Sequence, residues 1–277
     1  MKNKLGCNTL YPNGRLSDVK TQFTLAAQKQ ALRDVRDGGF DACEFSHSEC
    51  LTMDECDTLR KECEKIGLIP WSAHSWVVLP AEVENVEKSL PKLLANLDAT
   101  DHLGAEVMVV HAAGSDWDMG NEPLRLRRSV ALRASLLHLA EKAAEKGIAI
   151  AVENCGPEAD LRFLVHVIAS LGASNVGFNI DTGHAVLKGL DPAEAIRIMG
   201  DRLLTTHLQD NFGQRDDHLP PGLGTIEWSR VMEAFREVNY TRTLMVEISD
   251  CPPGREPVAR DEIRQSFENV KRFSKAV

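Results

Sequence analysis

Short apolar runs alternate along the chain with longer amphipathic stretches. The runs are Leu5–Leu10, Phe40–Phe45, Ile69–Trp76, Glu106–Ala112, Ile148–Glu153, Val176–Asp181, Leu203–Leu208 and Thr243–Ile248. Each is bounded by turn or polar residues, the pattern of strands buried on both faces in a parallel sheet. The clearest helix is predicted between about Asn121 and Lys146, where Leu132, Leu136, Leu139, Ala140 and Ala143 recur at helical spacing. Asn121 can cap its start and Gly147 can end its last turn. Gly38-Gly39, Gly67, Gly104 and Gly172 precede other strands in the same way. Eight strands with helices between most of them predict an α/β protein, a single-domain (β/α)8 TIM barrel over residues 1–277. An open doubly wound sheet is the competing architecture, but it often carries a glycine-rich first turn. Tyr11-Pro12-Asn13-Gly14-Arg15 has no GxGxxG or GxxxxGK pattern, so no nucleotide cradle is read there.

Composition narrows the class. Hydrophobic residues make up 43% and charged residues 26%, ordinary for a globular chain. No run approaches the ~18 apolar residues of a membrane span. The start, Met1-Lys2-Asn3-Lys4-Leu5-Gly6, carries no apolar signal region. Seven cysteines, an odd number without a CxxC pair, point to reduced thiols and a cytoplasmic protein. Cys56 and Cys63 lie seven apart on a predicted helix, hence on one face, as buried small hydrophobes. With 32 Lys+Arg against 41 Asp+Glu, the net charge of −9 disfavours gripping a phosphate backbone. Arg125, Arg127 and Arg128 form the one notable basic group.

The chemistry concentrates where strands end, the catalytic end of a barrel. There stand Glu44, His74, His111, Glu153-Asn154, Asp181, His207 and Glu247. Burying carboxylates and imidazoles beside apolar strands is costly unless something compensates them. A divalent cation does so for several carboxylates at once. Glu153, Asp181, His207 and Glu247 come from four successive strands, 28, 26 and 40 residues apart, so they can converge on one ion. Three carboxylates and one imidazole suit Mn2+, Mg2+, Co2+ or Zn2+. After strand seven, Asp216 and His218 form a D-x-H pair beside Gly222 and Gly224, which permit tight turns.

Val152-Glu153-Asn154, Asp181-Thr182-Gly183-His184, His207-Leu208-Gln209-Asp210, Gly222-Leu223-Gly224-Thr225-Ile226-Glu227-Trp228 and Val246-Glu247-Ile248 resemble the xylose-isomerase-like barrels. That superfamily holds sugar isomerases and epimerases together with endonuclease IV. The resemblance implies a divalent metal on Glu153, Asp181, His207 and Glu247. The endonuclease IV resemblance adds His74, His111, His184, Asp216 and His218 as ligands of a three-zinc cluster, leaving one to three ions open. The chain departs from that pattern at Gly183, where the endonuclease has a cysteine, and in lacking evident basic DNA-gripping loops.

The leading expectation is a metal-dependent sugar isomerase or epimerase that abstracts a proton beside a carbonyl through a metal-stabilised enediolate. By resemblance to ketose epimerases, Glu153 and Glu247 are both ligands and acid/base groups. His184 binds a substrate oxygen, Glu44 a hydroxyl, and Arg215 an anionic group of a sugar or keto-sugar. Trp71, Trp76 and Trp117 are candidates for an apolar wall. The alternatives are a keto-sugar dehydratase or lyase on the same site, a zinc phosphodiesterase on abasic DNA, and a non-catalytic metal-holding or partner-binding barrel. Homo-oligomerisation is left open.

Overall fold

A computed structural model describes residues 3–9, 23–114, 120–248 and 259–275. Its strands are β1 (Leu5–Asn8), β2 (Ala42–Ser46), β3 (Ile69–Leu79), β4 (Val107–Ala112), β5 (Ala149–Glu153), β6 (Val176–Asp181), β7 (Leu203–His207) and β8 (Leu244–Val246). Its helices are α1 (Leu25–Asp37), α2 (Met53–Ile66), α3 (Val86–Leu103), α4 (Glu122–Glu145), α5 (Glu158–Ala169), α6 (Thr182–Leu187), α7 (Pro192–Met199), α8 (Trp228–Glu237) and α9 (Ala259–Phe273). All eight predicted runs carry strands, so the expected (β/α)8 TIM barrel is the fold. The parallel sheet runs β7-β6-β5-β4-β3-β2-β1-β8. A parallel bridge between Leu208 and Val246 brings its two ends together. There Leu208 N–H donates to the Met245 carbonyl at 2.8 Å.

Local chemistry sets the helix ends. Thr52 and Glu55 form a capping box at the start of α2: the Thr52 hydroxyl accepts from Glu55 N–H at 3.3 Å, and the Glu55 carboxylate accepts from Thr52 N–H at 2.9 Å. Gly67, at φ 69°, takes the left-handed turn that leads into β3. Asn121 caps α4 as expected, accepting from Leu124 N–H at 3.3 Å. β3 runs three residues past its predicted end, with a register shift against β4 between Ser75 and Leu79. Tyr11–Arg15, Trp117 and Cys251 lie outside the described residues.

The core has two layers. The larger packs the outward side chains of the strands against the helices. The smaller fills the barrel with Ala42, Trp71, Val107, Val109, Ala151, Leu204 and Met245. Trp71 therefore plugs the barrel, its indole N–H donating to Thr205 Oγ1 at 3.0 Å, and is not a wall of the mouth. Cys7, Cys43, Cys56 and Cys63 are buried free thiols. The basic group at the start of α4 is divided: Arg127 is exposed, while the other two are paired. Arg128 is 1% exposed and pairs with Asp160, and Arg125 pairs with Glu122. Among the described residues no helix is long and apolar enough to cross a membrane.

Candidate metal centre

At the C-terminal ends of the strands the polar side chains meet. His207 closes β7 at the centre. Its Nδ1 lies 2.9 Å from Glu153 Oε2 at the end of β5 and 3.1 Å from Glu247 Oε2 just past β8. Its Nε2 lies 2.8 and 3.0 Å from the two oxygens of Glu44 on β2. Glu44 also accepts from Ser72 Oγ–H at 2.6 Å. Glu44 Oε2 is thus shared by Ser72 and His207, while Oε1 is buried without a well-directed hydrogen bond. All four groups are buried.

Around this centre the other predicted residues close ranks. Asp181 ends β6 and caps α6, its Oδ1 accepting from His184 N–H at 2.7 Å. His111 Nε2 is 3.2 Å from Glu153 Oε1 and 3.1 Å from His74 Nε2. His74 Nδ1 is 3.6 Å from Glu247 Oε1. His184 Nδ1 is 2.9 Å from Glu153 Oε1, while its Nε2 is 3.4 Å from Asp216 Oδ2. His218 Nε2 is 2.9 Å from the same Asp216 oxygen. His218 reaches this place with φ 48°, a strained backbone of the kind that persists where surrounding structure enforces it. Arg215 stays outside: its side chain is 60% exposed and its guanidinium is 3.4 Å from Asp217.

Several residues orient this cluster in ways that the sequence alone does not reveal. Asn179 Nδ2 donates to Glu153 Oε2 at 2.8 Å. Asn154 brackets the Asp181 backbone, accepting from its N–H at 2.7 Å and donating to its carbonyl at 2.9 Å. Gln209 Nε2 donates to Asp216 Oδ1 at 2.7 Å and contacts both Asp181 oxygens at 3.3 and 3.4 Å. Gly183 makes room for it: a Cβ there would lie 2.1 Å from Gln209 Oε1. All of these stand within two residues of a strand-end carboxylate or histidine, the one clue to their position. At the mouth Trp76, 39% exposed, stacks on His47 at 4.3 Å and 3° and on His74 at 4.9 Å and 24°.

Burial pushes the carboxyls of Glu153 and Glu247 up, but the neighbouring imidazoles outweigh it and hold both well below the usual range. Asp181 is pushed up to about 7 by burial, with Glu153, Glu247 and Asp216 adding to the rise. Burial pulls His207 and His184 down, but the carboxylates around them raise both well above the ordinary imidazole value.

The donors fall into groups that could hold a divalent cation, with Glu247 meeting His207 in a different group from Glu153 and Asp181. Glu153, Asp181 and His207 offer ligand atoms within 4.8 Å of one another; so do Glu44, His74, His207 and Glu247, then His74, His111 and Glu153, and then His184, Asp216 and His218. Glu153 Oε1 and the Nδ1 atoms of His74, His184, His207 and His218 are buried without a well-directed hydrogen bond, although other site atoms lie within reach. The distances are those of contact but the directions are not. Buried polar atoms are normally satisfied, so donors left this way fit a common ligand between them.

The sequence pattern described as "Xylose isomerase-like TIM barrel" matches residues 32–270, and the chain belongs to this family. It is 25% identical over 253 residues, 82% of this chain and 78% of the other, to a D-psicose 3-epimerase of Enterocloster bolteae. It is 33% identical to uncharacterized protein y4fM of Sinorhizobium fredii, over 37% of this chain and 34% of that one. The chain spans 48% and 62% of two other curated relatives, so less than two thirds of all three uncharacterized proteins. Among solved structures, a D-tagatose 3-epimerase-like protein superposes with a TM-score of 0.77 at 22% identity, covering 99% of this chain and 98% of that one. The IOLI protein with a bound zinc atom superposes at 0.74 and 14% identity, covering 99% and 98%. The fold is that of the xylose isomerase-like TIM barrels.

Proposed function

We propose that this protein is a divalent-metal-dependent isomerase or epimerase of a small sugar or keto-sugar, working by proton removal beside a carbonyl. One observation carries the reading: buried Glu153 and Glu247 both face His207 Nδ1, at 2.9 and 3.1 Å, and reach it from different strands. Inverting a centre beside a carbonyl calls for one group to take a proton and another to return it on the opposite face, and paired carboxylates do this. The likeness to D-psicose 3-epimerase supports the substrate class.

In this reading Glu153, Asp181, His207 and Glu247 hold the ion, Mn2+ or Mg2+ by their mostly oxygen donors, with Co2+ or Zn2+ as borderline choices. When bound, the cation supplies positive charge to the substrate oxygens that become anionic as the proton leaves. Glu153, oriented by Asn179, and Glu247 exchange the substrate proton. Glu44 fixes the tautomer and the plane of His207 through Nε2, which leaves Nδ1 for the ion, and so acts through that histidine. His184 meets a substrate oxygen at the open side. Trp76, held between His47 and His74, offers the exposed edge of its indole at the mouth.

The test is deuterium wash-in from D2O across a panel of free ketoses and inositol-type ketones. We expect metal-dependent exchange at the carbon beside the carbonyl, lost in Glu153→Gln. Retained exchange in that variant removes the acid/base assignment. A keto-sugar dehydratase or lyase shares this first step, and product analysis by NMR separates it.

A second reading has its own observation: the groups His74/His111/Glu153 and His184/Asp216/His218 are both assembled, as a multi-zinc phosphodiesterase on abasic DNA requires. Against it stand the charge of −9 and the burial of Arg128. Cleavage of an abasic-site duplex at low salt with added zinc would favour it.

A further inference from the structure

Cys155 has no part in the chemistry above, yet it stands at the site. It follows Glu153 by two residues, just past the end of β5. His184, from the first turn of α6, brings its Nδ1 to 2.9 Å from Glu153 Oε1. One donor atom each from Glu153, Cys155 and His184 lie within 4.8 Å of one another, and among the described residues no other cysteine joins such a group.

The free valences point inward. Glu153 Oε2 is taken by Asn179 and His207, whereas Oε1 is buried without a well-directed hydrogen bond. His184 Nδ1 is unsatisfied in the same way, its Nε2 being turned to Asp216. We propose that Glu153, Cys155 and His184 form a second, sulfur-containing site, adjoining the first through Glu153, for a thiophilic divalent cation of the zinc class.

Three protein ligands of types O, N and S with a fourth position open are the arrangement of an accessible zinc site. The sulfur separates this site from the oxygen-rich one: thiolate favours Zn2+ and its soft neighbours, while Mg2+ and Mn2+ prefer carboxylate and water. Binding converts the thiol to a thiolate and sends its proton to solvent. Because Glu153 is shared, an ion held here draws that carboxylate away from the proton exchange assigned to it, so zinc-class metals inhibit the Mn2+-loaded protein. The sulfur site depends on the proposed metal centre only through this shared residue.

The experiment titrates metal-free full-length protein with Co2+ and follows sulfur-to-cobalt charge-transfer absorption in the near ultraviolet, with Mn2+ binding measured in parallel by calorimetry. Wild type is expected to develop the band. Cys155→Ser, or Cys155→Ala, is expected to lose it while still binding Mn2+, which also shows that the variant is folded. A wild type that binds Mn2+ but shows no band, or a band that persists in both variants, overturns the sulfur site alone. A wild type that binds neither ion overturns both this site and the centre proposed above.

Discussion

Replacing Glu44 by Gln isolates what the buried carboxylate beneath His207 does. The substitution keeps the volume and one oxygen able to accept from Ser72 Oγ–H and from His207 Nε2–H, while it removes the charge and turns the other oxygen into an NH2 group. The contacts at stake are the 2.8 and 3.0 Å approaches of His207 Nε2. A hydrogen bond to a charged partner contributes about 1.5–3 kcal/mol. Outer partners of metal-ligating histidines typically account for about 10–100-fold in metal affinity. At about 1.4 kcal/mol per decade that range is about 1.4–2.8 kcal/mol, so the two routes agree. Calorimetric titration with Mn2+ should therefore show Glu44→Gln binding about 10–100-fold more weakly than wild type. Melting of the metal-free proteins should differ far less, because the lost charge also relieves repulsion within a carboxylate-rich cluster. Unchanged metal affinity with a large drop in metal-free melting temperature would show that Glu44 only supports the fold and does not orient His207.

Metal-free stability should peak near pH 5. Asp181 and the histidines have raised values, so they stabilise the folded protein at low pH and lose that contribution as pH climbs, Asp181 through about 7. Glu153 and Glu247 have lowered values, so their contribution is present above the ordinary carboxylate range and lost as pH falls. Melting curves with chelator should show this maximum and saturating Mn2+ should remove the alkaline decline; a metal-free melting temperature that rises steadily from pH 5 to 8 would contradict it. Arg128→Ala should cost about 3–5 kcal/mol by leaving Asp160 buried without its ion-pair partner, read by denaturant unfolding, and a loss below about 1 kcal/mol would refute the pairing. Gly183→Ala should displace Gln209, cost about 1–3 kcal/mol by overpacking, and weaken metal binding through Asp181 and Asp216. Unaltered Mn2+ affinity in that variant would mean Gln209 does not hold the two carboxylates in place.

The barrel was legible because parallel strands buried on both faces read as continuous apolar runs, and all eight carry strands. The strand-end placement of Glu153, Asp181, His207 and Glu247 was legible for a related reason: a charge ending an apolar run is costly to bury, so its presence there signals a compensating partner. What stayed hidden depends on direction across the barrel. Glu44 reads like any strand-end carboxylate, and only the fold turns it beneath His207. Trp71 and Trp76 lie five residues apart on one strand, yet the first plugs the interior and the second stacks at the rim. Arg128 reads as one of three surface arginines until Asp160 is brought under it by α5. Cys155 and Gln209 carry no signal beyond nearness to a motif, since their partners arrive from other strands.

Metal analysis of the purified protein, wild type beside an Asp181→Asn/His207→Ala variant, tests the proposed metal centre most directly. One tightly held divalent ion per chain in wild type after dialysis against Mn2+, absent from a variant that keeps its circular dichroism spectrum, is the predicted result. A wild type that retains no divalent ion, or a variant that retains the full complement, would contradict it.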